Sequence, residues 1–466
     1  MKQGVFSILI FALVCVYPAL GEVGSASCNL GEALDLYFSE SYELALDVLD
    51  ETLDECPNSS DAWNLKGCVL YQLGRYEDAV VSYDRALKLA PSYANAWYNK
   101  GSALDRLDEH EDAIGCYDHV IEIDPSDEGA WNGKGQSLGD LGRDEEAIEC
   151  YDRALDLDPS DADAWNNKGN TLYALGRYGE AVDCYDRALD LDPSDADVWY
   201  NKGTALRSMN RHEEAVECYD RAVRIDPFDG DGWFNKGFAL SDLGRYEEAV
   251  ASYNRSLELA PSRGDAWNKK SAALYELGRY EEAVVSYDQA LDLGPSNADA
   301  WYKKGSALRN LKKYKESVEC YDQVIEIDPS YVGVWRSKGL ALSGLGRYQE
   351  AAECYDQVME FDPSDAGAWN EMGRSLYDLG RYEEAVCSYN RALELEPSNV
   401  AIWCDKCIAL DDLGRYQEAV ECYDQAIIHD PSNLTAWGNK GDDFYKLGRY
   451  QDAVNCYNKV VTFDSV

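Results

Sequence analysis

The chain has 466 residues, with 87 acidic against 43 basic side chains, a formal net charge of -44 and a pI near 4.3. Phosphate backbones are held by clustered Lys and Arg, so this balance excludes a nucleic-acid partner. Such a length ordinarily means about three globular domains, yet all 12 tryptophans, and every proline except Pro18, recur at one fixed step, which points to a single uninterrupted array.

Met1-Lys2 precede an apolar run from Val5 to Leu20, and Ala19-Leu20-Gly21 has the small-x-small form of a cleavage site. Residues 1–21 read as a secretory signal peptide, because an apolar run broken by Pro18 is short for a membrane span. A secreted or extracytoplasmic protein is expected, membrane-tethered if the segment is retained. No other stretch is apolar enough to cross a bilayer. Residues 22–28 read as a linker, and Cys28 lacks the leading aliphatic expected of a lipid-modified cysteine.

Residues 29–59 read as a degenerate helix pair without Trp, Leu30 to Phe38 and Tyr42 to Leu53, as befits a terminal capping unit with one unpaired face. Cys28 and Cys56 offer a bridge there. From 60 to 466 a unit of 34 residues repeats twelve times without insertion, its clearest copy running from Ala162 to Asp195. Ser160 with Asp163 reads as a capping box that starts helix A near Asp161, and the helix runs to Leu175. Gly176 stops it, a slot held by Gly in nine of the twelve repeats and by Asp108, Asn210 and Lys312 in the rest, as suits a left-handed turn. Helix B carries Ala181, Tyr185, Ala188 and Leu189 on one face and ends at Asp192-Pro193.

Gly169 stands inside helix A in ten of the twelve repeats, at a cost of about 1 kcal/mol each relative to Ala. Close approach of helix B offsets that cost, and burial of each Trp adds up to about 4 kcal/mol. Ser271 and Cys407 replace this Gly, so looser helix contacts are expected in those two repeats. Eight cysteines, at 116, 150, 184, 218, 320, 354, 422 and 456, form one helix B column. Neighbours in it stand about 10 Å apart, beyond disulfide reach, and they read as free thiols at the core edge.

Trp165, Gly169, Ala181, Tyr185, Ala188 and Pro193 fall on the pattern of the tetratricopeptide repeat (TPR), which the chain resembles from about residue 29 to its end. The resemblance implies an all-α protein, a right-handed α-solenoid superhelix of tandem helix-turn-helix repeats. A longer period stands above it: Tyr71, Tyr173, Tyr275 and Tyr377 share one slot 102 residues apart, so the repeats group into four cassettes of three. Tyr98, Tyr200 and Tyr302 follow the same step. Duplication alone accounts for this period, and a repeated ligand-reading surface is the alternative.

In TPR proteins helix A lines a concave groove that binds extended peptides or partner helices. Carried onto this chain, that face holds Asn64, Tyr71, Tyr98, Asn132, Asn166, Asn170, Tyr173, Tyr200, Phe234, Asn268, Tyr275, Tyr302 and Tyr377, amides for peptide groups and rings for side chains. The expected role is a non-catalytic scaffold binding proteins or peptides for complex assembly outside the cytoplasmic membrane. The alternative is the substrate-recognition or regulatory arm of an enzyme, such as a glycosyltransferase, on a separate chain. A basic partner would suit the charge, and an uncapped last repeat offers a face for self-association. Lys is missing just after each Trp, which disfavours clamping of a chaperone tail. A Lys column three residues after Trp, such as Lys202, reads as structural, its ammonium reaching acids of the Asp186 column.

No cofactor or metal is expected. His110 and His212 replace a Tyr and read as ring substitutes. Cys404-x-x-Cys407 is a lone pair with no further ligands. The chain reads as no enzyme.

Overall fold

The computed structural model describes residues 30–464; the signal-type segment, the linker and Cys28 lie outside them. Among the described residues the chain forms 26 helices and no strand. A first pair, Gly31–Phe38 and Tyr42–Glu55, precedes twelve pairs that begin at Ser60, of which Ala162–Ala174 and Tyr178–Leu191 are typical. The chain divides into two compact units between Ala239 and Leu240, inside helix A of the sixth repeat. From Gly31–Phe38 to His212–Ile225 and from Tyr246–Leu259 to Tyr450–Asp464 each helix packs on the next in sequence, and helices A of consecutive repeats also touch, as Ala162–Ala174 does with Ala196–Ser208. Each unit is thus a solenoid stabilised by nearest neighbours.

The caps explain the period. Asp161, in extended conformation, accepts from the Ala164 amide at 3.0 Å. Ser160 is engaged elsewhere, its amide and hydroxyl donating to Asp158 Oδ1 at 2.9 and 2.6 Å. The expected Ser160 capping box is therefore corrected: the cap lies one residue later, and Ser160 closes the preceding turn. Asp127, Asp195, Asn297, Asp365 and Asn433 cap their own helices in the same way. At the other end Gly176 takes φ +76° while the Arg177 amide reaches back to Leu172 O at 2.9 Å. Asp108, Asn210 and Lys312 adopt φ of 61°, 58° and 59° in the same slot, and Glu40 does so in the first pair at 57°.

The close approach at the helix A glycine has a specific occupant. A Cβ on Gly169 would stand 2.6 Å from Cε1 of Tyr185, and one on Gly373 2.5 Å from that of Tyr389. The Tyr185 column is the buried aromatic core, with Tyr83, Tyr219, Tyr253, Tyr321 and Tyr355 fully enclosed. Tryptophan, to which the sequence assigned that burial, is half-buried in every repeat. Its indole N–H donates to the carbonyl of the proline six residues earlier, as from Trp165 to Pro159 O at 3.1 Å. Eleven of the twelve tryptophans make this bond. Trp and Pro keep a common step because one ties down the turn that the other begins.

Lysine lies across the ring in every repeat but that of Trp369, where Met372 takes its place. In eleven repeats its Nζ stands between 4.6 and 5.9 Å from the centroid of its own Trp. In nine of them it also pairs with an Asp of the preceding helix B, as Lys134 does with Asp118 at 2.6 Å. The column pairing with the acids of the Asp186 series is present.

Two cysteine expectations are corrected. Cys407 forms a disulfide with Cys422, their Cα atoms 5.5 Å apart. The helix A glycine slot lies directly against helix B, so a sulfur placed there meets the column cysteine of its own repeat. That repeat is covalently clipped rather than loosened, and Cys422 is not a free thiol. The other seven column cysteines are free and buried.

Candidate functional site

Of the thirteen candidate residues, Asn64 and Phe234 are buried, at 1% and 9% exposure. Asn170 is exposed and the other ten are half-buried on helix A. Their polar atoms are largely committed to the neighbouring repeat. Asn64 Oδ1 accepts from Asn99, Asn132 Oδ1 from Asn167 and Asn166 Oδ1 from Asn201, each at 3.2 Å and 35 residues on. Tyr200 accepts from Asn235 at 2.9 Å, and Tyr302 meets Ser337 at 3.1 Å in the same register. Asn170 accepts from the hydroxyl of buried Tyr185 at 2.9 Å. These side chains form a ladder that joins consecutive helices A. Where the next repeat offers Lys303 or Asp405 in place of the Asn, Oδ1 of Asn268 and of Asn370 has no hydrogen-bond partner.

The cassette tyrosines form a second ladder nearer the turn. Each packs its ring on the first residue of helix B: Tyr71 on Tyr76, Tyr173 on Tyr178, Tyr275 on Tyr280 and Tyr377 on Tyr382, all with centroids 5.2 Å apart. Tyr173 meets Ser208 at 3.3 Å, Tyr275 accepts from Asn310 at 3.0 Å and Tyr377 donates to Asp412, again 35 residues on. Tyr98 rests edge-on against Tyr117 at 5.7 Å. The rings are held in place at one edge and open at the other. Such an arrangement presents rigid amphipathic surface at little entropic cost.

Two acidic positions share the cassette-tyrosine slot and were not among the expected sites. Asp105 is half-buried against Ser137 of the next repeat, whose hydroxyl donates at 2.7 Å, while Tyr117 donates at 2.9 Å and His110 Nδ1 stands 3.1 Å away. Burial raises the Asp105 carboxyl above the usual range, and the three neighbours hold it back. His110 is therefore more than a ring substitute; it supports a half-buried carboxylate. Asp411 pairs with Lys446 and faces Asp443 of the next repeat. The sequence signal for Asp443 was available: an acid in a column otherwise of Val, Ala, Ser and Thr. Among the described residues no group of His, Cys, Asp or Glu is arranged to hold a metal ion, and no helix is long and apolar enough to cross a membrane.

No curated protein matches the chain. Among solved structures, the chain is similar to YrrB, described as a TPR protein with an unusual peptide-binding site, at 25% identity over 43% of this chain and 99% of that one, with a TM-score of 0.38. It is also similar to MamA from Desulfovibrio magneticus RS-1, at 24% identity over 36% of this chain and 96% of that one, TM-score 0.35. A third match is the APC/C hetero-tetramer Cut9-Hcn1, at 16% identity over 97% of this chain and 96% of that one, TM-score 0.40. A tetratricopeptide repeat profile matches residues 30–83, 65–128, 132–196, 166–230, 200–264, 234–287, 336–400 and 405–465. Two further TPR profiles match 272–311 and 298–331. With most of its length matched and helix pairs repeating throughout, the chain belongs to the tetratricopeptide repeat family.

Proposed function

We propose that this chain is a non-catalytic scaffold that binds a protein or peptide segment along the helix A face of its repeats, outside the cytoplasmic membrane. The observation that carries the reading is the set of half-buried cassette tyrosines, Tyr71, Tyr173, Tyr275 and Tyr377. Each is braced by a second ring at 5.2 Å and left open on its other side. Braced rings of this kind are the residues that dominate peptide and protein interfaces. The extracytoplasmic setting is supported by the signal-type sequence before residue 22 and by the Cys407–Cys422 disulfide, since such bonds persist in oxidising compartments.

The test is capture of partners from host extract on the immobilised protein, compared with Tyr173→Ala and Tyr275→Ala. Captured partners should fall away in the variants. Each ring pair is worth about 1 kcal/mol, so the melting temperature should drop by only a few degrees. A large loss of stability with binding retained would make these rings packing residues and defeat the reading.

A further inference from the structure

Asp443 occupies the helix A slot that Thr171 fills in its own repeat, and that seven other repeats fill with Ala. It is 1% exposed, and neither carboxylate oxygen has a hydrogen-bond partner among the described residues. It lies within reach of Asp411 on the preceding helix A. One ammonium serves both: Lys446 pairs with Asp411 and stands 4.0 Å from Asp443 Oδ1. The same register elsewhere shows how such an acid is normally satisfied. Asp105, in the slot of Asp411, meets the hydroxyl of Ser137, in the slot of Asp443, together with Tyr117 and His110. In the later repeat a second carboxylate replaces that hydroxyl, and the pair is one positive charge or one proton short. A buried carboxylate whose charge is only partly compensated is costly.

The way in is from the helix A face, since the side chains of Lys446 and Asp411 are 40% and 27% exposed. The surroundings are acidic: Asp405 is bridged to Arg374, Asp412 accepts from Tyr377, and Asp442 accepts from Tyr457 at 2.7 Å. We infer that Asp411 and Asp443 form a receiving site for an arginine side chain of a basic peptide, with Lys446 moving aside as it enters. The inference rests on the helix A reading given under Proposed function and names the chemistry of its partner. A guanidinium presents a planar fork of donors that can bond two carboxylates together, which the single ammonium of Lys446 does not do here.

Proton linkage gives the site a signature that general charge attraction lacks. Burial, and then Asp411, raise the Asp443 carboxyl, so the two carboxyls of the free site hold a proton to higher pH than an ordinary acid does. The other groups facing it are Asp442 and Lys446 on its own helix and the Tyr423 hydroxyl from helix Tyr416–His429, itself pushed up by burial. An entering guanidinium expels the proton, and affinity rises with pH.

The experiment is calorimetric titration of the full chain with short acetylated peptides alternating Gly with Arg, Lys or Glu, at moderate salt and in buffers of different ionisation heat. The Arg peptide should bind best, release protons at pH 7, and weaken at least about tenfold with Asp443→Ala or Asp411→Asn. Asp443→Ala installs the residue of seven sister repeats, and Asp443→Ser that of Ser137, so one of the two is expected to fold even if the other does not. Glu149→Gln removes one exposed acid far along the chain and should change nothing. Equal affinities for Asp443→Ala and Glu149→Gln, or binding without proton release, would overturn the site. If Tyr173→Ala weakens the peptides and Asp443→Ala does not, this site alone fails; if no peptide binds the intact chain, the helix A reading fails with it.

Discussion

Two glycines seven residues apart make the same substitution mean different things. At Gly169 an added Cβ lands 2.6 Å from the Tyr185 ring, so Gly169→Ala should cost about 1–3 kcal/mol through overpacking. Gly176 has open space around its Cα but φ of +76°, so Gly176→Ala should cost about 1–2 kcal/mol from backbone strain alone. Chemical unfolding separates the mechanisms: adding Tyr185→Leu, which trims the ring, should recover part of the first loss and none of the second. The Lys–Asp column allows a test of opposite sign. Lys270 and Lys406 lack their acid because Asn254 and Asn390 stand in its place, and burial lowers the pKa of both lysines. Asn254→Asp should therefore stabilise the chain by up to about 1 kcal/mol, an increment that fades with salt. Reduced stability at low salt would show that the column pairs contribute nothing.

At the scale of the helix, the Cys407–Cys422 bond ties helix A to helix B of one repeat and closes a loop over a sequence separation of 15. Loop-closure entropy assigns such a bond about 3 kcal/mol. Reduction should accordingly speed amide exchange in Val400–Asp412 and Tyr416–His429, while other repeats change little. Cys407→Gly, which installs the residue of ten sister repeats, removes the clip and should therefore cost about as much as reduction. Alkylation of the native protein gives an independent check: exposed Cys387 should label readily, whereas burial shields the column thiols and pushes Cys150, Cys184 and Cys218 up to about 11. Rapid native labelling of Cys184 would contradict this packing. The helix pairs, their turns and the Lys–Asp pairing were legible because each rests on one column of one residue type. What escaped the sequence depends on two columns at once. The clip needs Cys407 to lie against Cys422, the indole bond needs Trp over the preceding Pro, and the acid pair needs Asp411 to meet Asp443. The cap was misplaced for a related reason, since Asp158 takes the Ser160 hydroxyl before the helix can. For the candidate site, the sequence picked the helix A face but not the ladder that commits its amides to neighbouring repeats.

For the molecule as a whole, a net charge of -44 sets two effects of salt against each other. Salt weakens the nine Lys–Asp column pairs and the Arg–Glu pairs of the turns, such as Arg177–Glu180. Each is a partly exposed pair worth at most about 1 kcal/mol, and pairs at contact distance are the least screened. Salt also relieves repulsion among carboxylates that outnumber the basic groups two to one, and most of those interactions act over distances longer than a contact. At 0.1 M the Debye length is about 10 Å, close to the spacing of successive helices at about 8–10 Å. Acids on neighbouring repeats are therefore screened while the pairs in contact persist. The melting temperature should rise from low salt to about 0.5 M sodium chloride, and sodium sulfate at equal ionic strength should raise it further by strengthening apolar burial. A melting temperature that falls with sodium chloride would mean that the ion-pair columns, rather than the aromatic and alanine core, hold successive repeats together.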